Sequence, residues 1–480
     1  MADVVKDAQQ LYQDAIDALQ DQRRQIGEDL EFSDPSDPHQ WDKDIKRQRE
    51  NDPGGARPCL VFDQCGQYVS NVSGQIEKQP PSLHAIPVGG GADKRAAEQL
   101  DGFFRHIEYS SRASQHYTRA LTSAARAGVG YLIVRPQYID RGLNYQEPRI
   151  SSEGDPLKVV LDPWSVELDG SDANFGYLLT PLSHREFERR WPGKDKVSFN
   201  DLECSTVSDS RESIYVAEGW IAEDRKSNMI LSAGADGDQA WYSEDDYHAA
   251  SQRAGVTLPV IDQKQTTERI VWWRTMSGVE VLEQCKDADG KPAPYPASGI
   301  GIVPVYGYVG WANGRMKYCG VPRRAMNAQR SYNYHMSEMH VFMGQAPKSP
   351  WLTPVRALAG LEPIWDRASV DSRAYLPYHD IDEAGQPIAP PTRNQQSTNL
   401  QNHVAGAERA LHDIQASLGM YQASLGAPSN ESSGVAIESR KQQGEAATAE
   451  FHRGVAGAAA VHQALAWQQQ DVVVVEDLQG

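Results

Sequence analysis

A pair of glycines after a long helical pattern constrains the fold of this chain more than any other feature. Apolar residues at three- and four-residue spacing predict a helical stretch from Asp93 to about Arg126. Gly128-Val129-Gly130 then ends the helix, because glycine favours the backbone conformation of a helix C-terminus. The apolar run from Tyr131 to Pro136 is typical of a strand. Helix, glycine turn and strand in direct succession indicate an α+β fold.

Other helices are predicted from the same periodicity and from capping patterns. The segment from Val4 to Ile26 carries a narrow apolar stripe, so we expect it to pack on one neighbour. Ser183 begins an S-x-x-E capping box, which predicts a short helix that stops before Pro192. Three longer helices are predicted from Pro322 to Met343, from Ser397 to about Leu425 and from Ser433 to about Gln470. Apolar contacts of the first are expected from Met326, Tyr332, Met336, Met339 and Phe342.

Strands are predicted on either side of a polar insertion. A short strand from Lys158 to Leu161 ends at Asp162-Pro163, because proline cannot continue the ladder. Three more strand-like runs are Ile214 to Ala222, Arg269 to Thr275 and Val279 to Gln284. The polar stretch from Glu223 to Lys264 lies between the first two and contains a predicted helix from Glu244 to Ala254. This order predicts a projecting antiparallel substructure.

The charge balance argues against a monomeric protein that coats nucleic acid. The chain has 480 residues, with 47 Lys and Arg against 65 Asp and Glu, and a formal net charge of −18. Nucleic-acid coating depends on clustered cations. The five cysteines are scattered without a C-x-x-C pair, which favours a reducing compartment. The acidic N-terminus and the short apolar runs predict a soluble chain without a secretion signal.

No pattern in the sequence predicts an enzyme, a cofactor or a metal site. Gly89-Gly90-Gly91 lacks phosphate-loop spacing and follows a proline-rich loop. His335 and His340 flank Glu338, but the histidines lie five positions apart, which places them on different faces of a helix, unlike H-E-x-x-H. The Asp245-Asp246 pair lacks the terminal glutamate of a calcium loop. We therefore expect a protein without catalytic residues, cofactors or metal.

Four segments carry distinctive short motifs, in the order Ala127 to Arg135, Val160 to Val166, Ile302 to Gly307 and Ser433 to Ile437. In this order, they resemble the portal proteins of short-tailed double-stranded DNA bacteriophages. The first resembles a helix-to-strand turn of the family's wing, the second its D-P-x-S-V strand, the third the strand before its stem helix, and the fourth its S-G-x-A-I crown helix. The similarity spans residues 100 to 460, which is most of the chain.

The resemblance implies a portal fold in a homo-oligomeric ring, with an α/β wing, a helical stem, an α/β clip and a helical crown base. The expected boundaries are 1–55 for an N-terminal helix and linker, 56–205 for the first part of the wing, 206–312 for the clip and stem-flanking strands, 313–345 for the stem helix, 346–425 for the tunnel loop and wing return, and 426–480 for the crown helices. His452-Arg453 depart from the family's Asp-Asn, and the chain stops soon after the strand-like run Val472 to Val475. We therefore expect the barrel above the crown to be absent or truncated.

The resemblance also implies a function at one vertex of a virion capsid, after assembly in the host cytoplasm. The ring usually has twelve copies, and its other expected partners are the terminase large subunit, head-completion and tail adaptor proteins, and the major capsid and scaffolding proteins. Double-stranded DNA would pass through the tunnel without sequence-specific binding, which an acidic wall permits, and no membrane is implied. The alternative is another virion structural or adaptor protein that binds the ring without forming a channel.

Candidate contact residues are assigned by position. The DNA-channel candidates are Arg323, Arg324, Arg330 and Lys348. Alternatively, the arginines form ion pairs with acidic residues of neighbouring subunits. The candidates for partner contact in the clip are Trp241, Tyr242 and Tyr247. Alternatively, these aromatic residues close a small local core.

Overall fold

The protein is a mixture of long helices and antiparallel strands. The structure, a computed structural model, describes residues 2–34, 38–53, 56–78, 81, 85–86, 94–138, 146–199, 213–233, 239–286, 290–345, 351–368, 371, 373–382, 384–393, 398–420, 448–449, 451 and 453–459. The helices within these residues are α1 (Ala2–Phe32), α2 (Lys43–Glu50), α3 (Cys65–Lys78), α4 (Lys94–Ser111), α5 (Ala113–Ala127), α6 (His184–Arg190), α7 (Glu244–Ala254), α8 (Val321–Gln345), α9 (Glu362–Trp365) and α10 (Thr398–Leu418). The described residues between 448 and 459 are also helical.

The strands of the described residues run in pairs of opposite direction. They are β1 (Val129–Tyr138), β2 (Gln146–Glu153), β3 (Val159–Leu161), β4 (Phe175–Ser183), β5 (Ser213–Ala233), β6 (Gln239–Ser243), β7 (Val260–Met276), β8 (Val281–Gln284), β9 (Ile302–Tyr306), β10 (Tyr308–Ala312), β11 (Arg315–Cys319), β12 (Trp351–Leu352) and β13 (Thr392–Arg393). Together with the helices, they confirm the α+β prediction.

The chain folds into two compact units, each assembled from separate stretches. Unit 1 contains Met1–Glu28, Ser70–Gly320 and Thr448–Gly480, and unit 2 contains Asp29–Val69 and Val321–Ala447. The division into wing, clip, stem and crown stays a prediction.

Unit 1 is built on two antiparallel sheets. The larger has the order β3-β4-β5-β7-β8, with β6 also paired to β5, and the smaller has the order β2-β1-β9. Pro304 of β9 lies opposite Tyr131 of β1. Strand β9 is at the edge of its sheet and therefore tolerates a residue without an amide hydrogen. Strands β10 and β11 form a separate hairpin.

Helix α1 packs its apolar stripe on one face of the larger sheet. Val5, Ala8, Tyr12 and Ala15 belong to one buried cluster, together with residues of β3, β4, β5 and β7. The Tyr12 ring meets the rings of Tyr177 and Phe199 edge-on, with centroids 5.7 and 5.8 Å apart. The first half of the predicted stripe therefore packs on this sheet, whereas Gln22 further along α1 donates to the Tyr318 carbonyl of β11 at 2.8 Å, so the prediction of one neighbour is confirmed only for the first half.

The helical stretch predicted from Asp93 to Arg126 is two helices in the structure. Helix α4 ends at Ser111, and Arg112 adopts a left-handed backbone with φ of 53° before α5 begins. Gly128 then caps α5 with φ of 88°, and its amide donates to the Ala124 carbonyl at 2.8 Å. The predicted turn into a buried strand is confirmed.

Strands β5 and β7 extend much further than the apolar runs that predicted them. The stretch from Glu223 to Lys264 was expected to be a polar insertion, but β5 continues through it to Ala233 and β7 begins at Val260. The predicted helix Glu244 to Ala254 is confirmed as α7. Sequence periodicity missed the strand extensions because their side chains do not alternate between buried and exposed.

Unit 2 centres on the packing of α8 against α10. The prediction of a long helix from Pro322 to Met343 is confirmed by α8, and α10 ends at Leu418, before the predicted end near Leu425. Helices α2 and α3 were not predicted. Most of the predicted helix from Ser433 to Gln470 lies outside the described residues. No helix in the described part of the chain is long and apolar enough to cross a membrane.

Candidate partner and nucleic-acid interfaces

A two-stranded ribbon extends from the larger sheet of unit 1. It consists of residues 223–229 of β5 paired with residues 264–270 of β7, and Glu223 lies opposite Ile270. The side chains from Glu223 to Lys226 are all exposed. Because consecutive strand residues point to opposite faces, both faces of the ribbon are open to solvent in the single chain. A ribbon of two strands is marginally stable alone, so neighbouring elements must hold its ends.

At its far end, the ribbon carries a small lobe formed by β6 and α7. Ile230, Tyr247 and Leu258 form the core of this lobe, and Tyr242 packs against them. The Tyr247 hydroxyl donates to the Leu258 carbonyl at 2.6 Å. Trp241 leaves 44% of its surface exposed. Of the three clip candidates, Tyr242 and Tyr247 therefore contribute to a local core, and Trp241 offers an aromatic surface to solvent.

The base of the ribbon is anchored by a buried carboxylate. Glu218 of β5 accepts from Arg135 of β1 at 2.5 Å and from the indole Nε1 of Trp273 in β7 at 2.9 Å. Burial raises the pKa of Glu218, while Arg135 opposes this shift. Trp220, which is fully buried, lies opposite Trp273 in the ladder. These contacts join the two sheets where the ribbon begins.

Helix α8 buries a stripe whose chemistry changes along its length. The stripe has a residue every fourth position, and each is fully buried: Val321, Ala325, Gln329, Asn333 and Ser337. Of the apolar residues expected to make the contacts of this helix, Met326 is buried, and Tyr332, Met336, Met339 and Phe342 are only partly buried. In the second half of α8, amide and hydroxyl groups occupy the fully buried positions, and the partly buried Phe342 makes an aromatic contact, with its ring centroid 5.4 Å from that of His403.

The polar half of this stripe binds residues 56–64, which we call the strap. Gln329 Oε1, Asn333 Oδ1 and Ser337 Oγ accept from the backbone amides of Gln64, Phe62 and Leu60 at 2.9, 3.0 and 3.1 Å. Alternate residues of an extended chain are about 6.6 Å apart, and four helical residues rise about 6 Å, so the two spacings nearly match. The helix side chains thus replace a neighbouring strand. Polar residues at spacing four were the sequence signal for this contact.

A buried ion pair fixes one end of the strap. Arg49 of α2 pairs with Glu338 of α8, and each side chain is only 6% exposed. Arg49 also donates to the Pro58 carbonyl at 2.9 Å, and its guanidinium lies over the rings of Trp41 and Tyr334 at 5.1 and 5.5 Å. Sequence reasoning missed this pair because 289 positions separate its two residues.

The candidate DNA-channel cations have different environments. Arg323 Nε lies 2.7 Å from Asp29 Oδ1, so this arginine has an acidic partner within its own chain. The Arg330 guanidinium lies 5.8 Å from the centroid of the Phe32 ring and is half-buried. Arg324 is exposed. Lys348 lies outside the described residues.

The candidate metal residues have structural contacts instead. His335 contacts His403 of α10, whereas His340 stacks on Phe62 of the strap with ring planes 3° apart. Among the described residues, no group of three or more His, Cys, Asp and Glu side chains is arranged to hold a metal ion. Cys59, Cys65, Cys285 and Cys319 form no disulfides. The residues and side chains outside the described part include Gly89 to Gly91, Cys204, Asp245 and Asp246.

Comparison with known proteins identifies the family of the chain. The model of the phage P22-like portal protein family matches residues 9–468, and the chain belongs to this family. The resemblance of four short segments to phage portal proteins is therefore confirmed.

One curated relative is the portal protein of Acyrthosiphon pisum secondary endosymbiont phage 1. It is 23% identical over 357 residues, which cover 71% of this chain and 48% of the relative. The chain thus spans about half the length of the curated relative it matches.

Proposed function

We propose that this protein is a structural subunit of a phage portal. Twelve copies of the chain form a ring at one capsid vertex. The double-stranded DNA genome passes through the ring during packaging and ejection without sequence-specific binding. The terminase large subunit docks on the ring first, and head-completion and tail adaptor proteins replace it. Capsid and scaffolding proteins surround the ring during assembly in the host cytoplasm.

The observation that carries this proposal is the family match over residues 9–468. The ribbon supports it independently, because a polar two-stranded element with both faces exposed gains stability when neighbouring copies cover it. In this ring, the ribbon and its lobe belong to the clip, and α8 forms the stem. Arg324, whose side chain is exposed, stays a candidate for contact with DNA. Arg323 and Arg330 make contacts with Asp29 and Phe32 of the same chain.

The ring is tested by electron microscopy of the purified protein, with light scattering at micromolar concentration. We expect closed rings of uniform subunit number, either alone or after addition of scaffolding and capsid proteins. A protein that stays strictly monomeric under both conditions would contradict the proposal. Binding of such a monomer to a preformed portal ring would support the alternative of an adaptor protein.

Trp241→Ala tests the assignment of the lobe to motor docking. We expect at least a tenfold weaker affinity for the terminase large subunit, because exposed tryptophans often provide a large share of interface energy. The thermal midpoint should stay unchanged, because Trp241 is 44% exposed and lies outside the lobe core. Affinity is measured by surface plasmon resonance and stability by scanning calorimetry.

Two variants serve as controls for Trp241→Ala. Tyr109→Ala removes an aromatic ring that is 87% exposed on α4 and should leave terminase affinity unchanged. Tyr247→Ala empties the lobe core, so it should lower both local stability and affinity. Equal affinities for Trp241→Ala and Tyr109→Ala would place the docking surface elsewhere.

A further inference from the structure

A direct contact between two histidines joins the long helices of unit 2. His335 of α8 and His403 of α10 lie with their Nδ1 atoms 3.1 Å apart, and their ring centroids are 5.4 Å apart. Both side chains are half-buried. At this separation, one Nδ1 donates its proton to the lone pair of the other. The contact therefore requires at least one of the two Nδ1 atoms to be unprotonated.

A glycine in α10 allows this close approach. A Cβ atom on Gly406 would lie 2.6 Å from both Cε1 and Nε2 of His335, and 2.8 Å from its Nδ1. The imidazole therefore packs directly on the α10 backbone. Any other residue at position 406 would displace the ring, so the sequence of α10 accommodates His335 in its observed place.

Among the described residues, aromatic rings flank the two imidazoles. The Tyr334 ring lies 5.7 Å from that of His335, and the Phe342 ring lies 5.4 Å from that of His403. The Arg49 guanidinium of α2 lies over the Tyr334 ring. The nearby carboxylate of Glu338 on α8 is paired with this same arginine.

The remaining titratable groups of the neighbouring elements are engaged elsewhere or exposed. His340 of α8 stacks on the strap, and on α10 Arg409 pairs with Asp413 at 3.0 Å while Glu408 is exposed. No carboxylate among the described residues makes a hydrogen bond or ion pair with either imidazole of the pair. Burial lowers the pKa of His335, and His403 lowers it further.

We propose that His335 and His403 form a proton-operated latch that holds α8 against α10 until both imidazoles are protonated. With one proton between the two facing nitrogens, one Nδ1 donates to the other and the hydrogen bond persists. With both protonated, two N–H groups and two positive charges face each other at 3.1 Å, and the contact becomes repulsive. The latch belongs to the fold of a single chain and does not depend on ring formation.

The direction of the pH effect follows from the lowered pKa of His335. The unfolded or opened chain takes up protons as the pH falls below about 6.5, whereas the closed pair resists a second proton. The closed state therefore loses stability as the pH falls from that value through the lowered pKa of His335. Above that value, the stability that the contact contributes is fully present.

Hydrogen exchange of the intact protein tests the latch between pH 7.5 and 5.0. After correction for the chemical exchange rate, we expect peptides of α8 and α10 to exchange about fivefold faster at the lower pH, since the loss of one hydrogen bond of about 1 kcal/mol changes the opening equilibrium about fivefold. Peptides of β1 in unit 1 provide the internal reference. His403→Asn keeps a polar group near His335 but cannot take up a proton, so the pH-dependent acceleration should disappear.

His340→Asn is the matched control, because it removes an exposed histidine of the same helix and should retain the wild-type pH response. His335→Asn is the reciprocal variant if His403→Asn folds poorly. The proposal is wrong if the wild-type protein shows no pH-dependent acceleration in α8 and α10 relative to β1, a result that needs no variant. It is also wrong if either asparagine variant of the pair keeps the full acceleration.

Discussion

Gly128→Ala is expected to lower the free energy of unfolding of unit 1 by about 2–5 kcal/mol, because it combines left-handed strain of about 1–2 kcal/mol with overpacking of about 1–3 kcal/mol. Gly128 has a φ of 88°, and a Cβ there would lie 2.6–2.9 Å from the backbone of Cys319. Its amide and carbonyl also bind Ala124 and Gly307, each at 2.8 Å. The substitution therefore disturbs α5, β1 and the chain after β9 together.

Alanine substitutions at three other glycines separate the left-handed backbone strain from the overpacking. Gly193 has a φ of 76° and open space around its Cβ position, so Gly193→Ala isolates the backbone strain. A Cβ on Gly130 would lie 1.9 Å from the Ala120 carbonyl, so Gly130→Ala adds a steric overlap between α5 and β1. Gly102 lies within α4 with open space and no left-handed backbone, and Gly102→Ala should be neutral or stabilising.

Urea unfolding, followed by circular dichroism and by hydrogen exchange of β1 peptides, measures these differences. The expected order of loss places Gly128→Ala and Gly130→Ala well above Gly193→Ala. If Gly128→Ala is no more destabilising than Gly193→Ala, the close approach of Cys319 does not constrain the turn.

The sequence predicted this turn because its chemistry is local. A glycine after a helical pattern and an apolar run after the glycine are enough to predict a cap and a strand. The S-x-x-E pattern was informative for the same reason: Ser183 caps α6 by accepting from the amide of Glu186 at 3.2 Å. In a complete capping box, the glutamate side chain also accepts from the backbone amide of the N-cap residue. Here Glu186 instead pairs with Arg190.

The candidate site was much less predictable, because its contacts join residues that are far apart in the chain. The ribbon lacks alternating burial, so no periodicity marked its strands. The strap consists of partly exposed residues held by backbone hydrogen bonds, which leave no composition signal. Arg323 was assigned by position as a channel cation, but its partner Asp29 lies in a different segment of unit 2.

Glu338→Ala is expected to lower the free energy of unfolding of unit 2 by about 3–5 kcal/mol, the usual cost of leaving one charge of a buried pair without its partner. Arg49 would remain 6% exposed with its guanidinium beside the rings of Trp41 and Tyr334. Arg57 lies 3.8 Å from Glu338 but is 42% exposed, so its charge stays hydrated. Urea unfolding and hydrogen exchange of α8 peptides measure the loss.

An exposed ion pair of the same unit provides the control for Glu338→Ala. Arg409 and Asp413 lie 3.0 Å apart on α10 with side chains 75% and 45% exposed. Asp413→Ala should have little effect on stability, because exposed pairs are screened by water and salt. Equal losses for Glu338→Ala and Asp413→Ala would mean that Arg49 is not held in the buried position.

The double variant Arg49→Met with Glu338→Leu separates the stability of the pair from its role in positioning the strap. A buried ion pair replaced by apolar residues often recovers the stability that a single substitution loses, so we expect at least half of the Glu338→Ala loss to be restored. Arg49 also donates to Pro58, and that bond has no substitute in the double variant.

Faster exchange at Leu60, Phe62 and Gln64 in a double variant of recovered stability would show that the pair sets the register of the strap on α8. Wild-type exchange at these three amides would instead mean that the amide ladder of Gln329, Asn333 and Ser337 fixes the register alone.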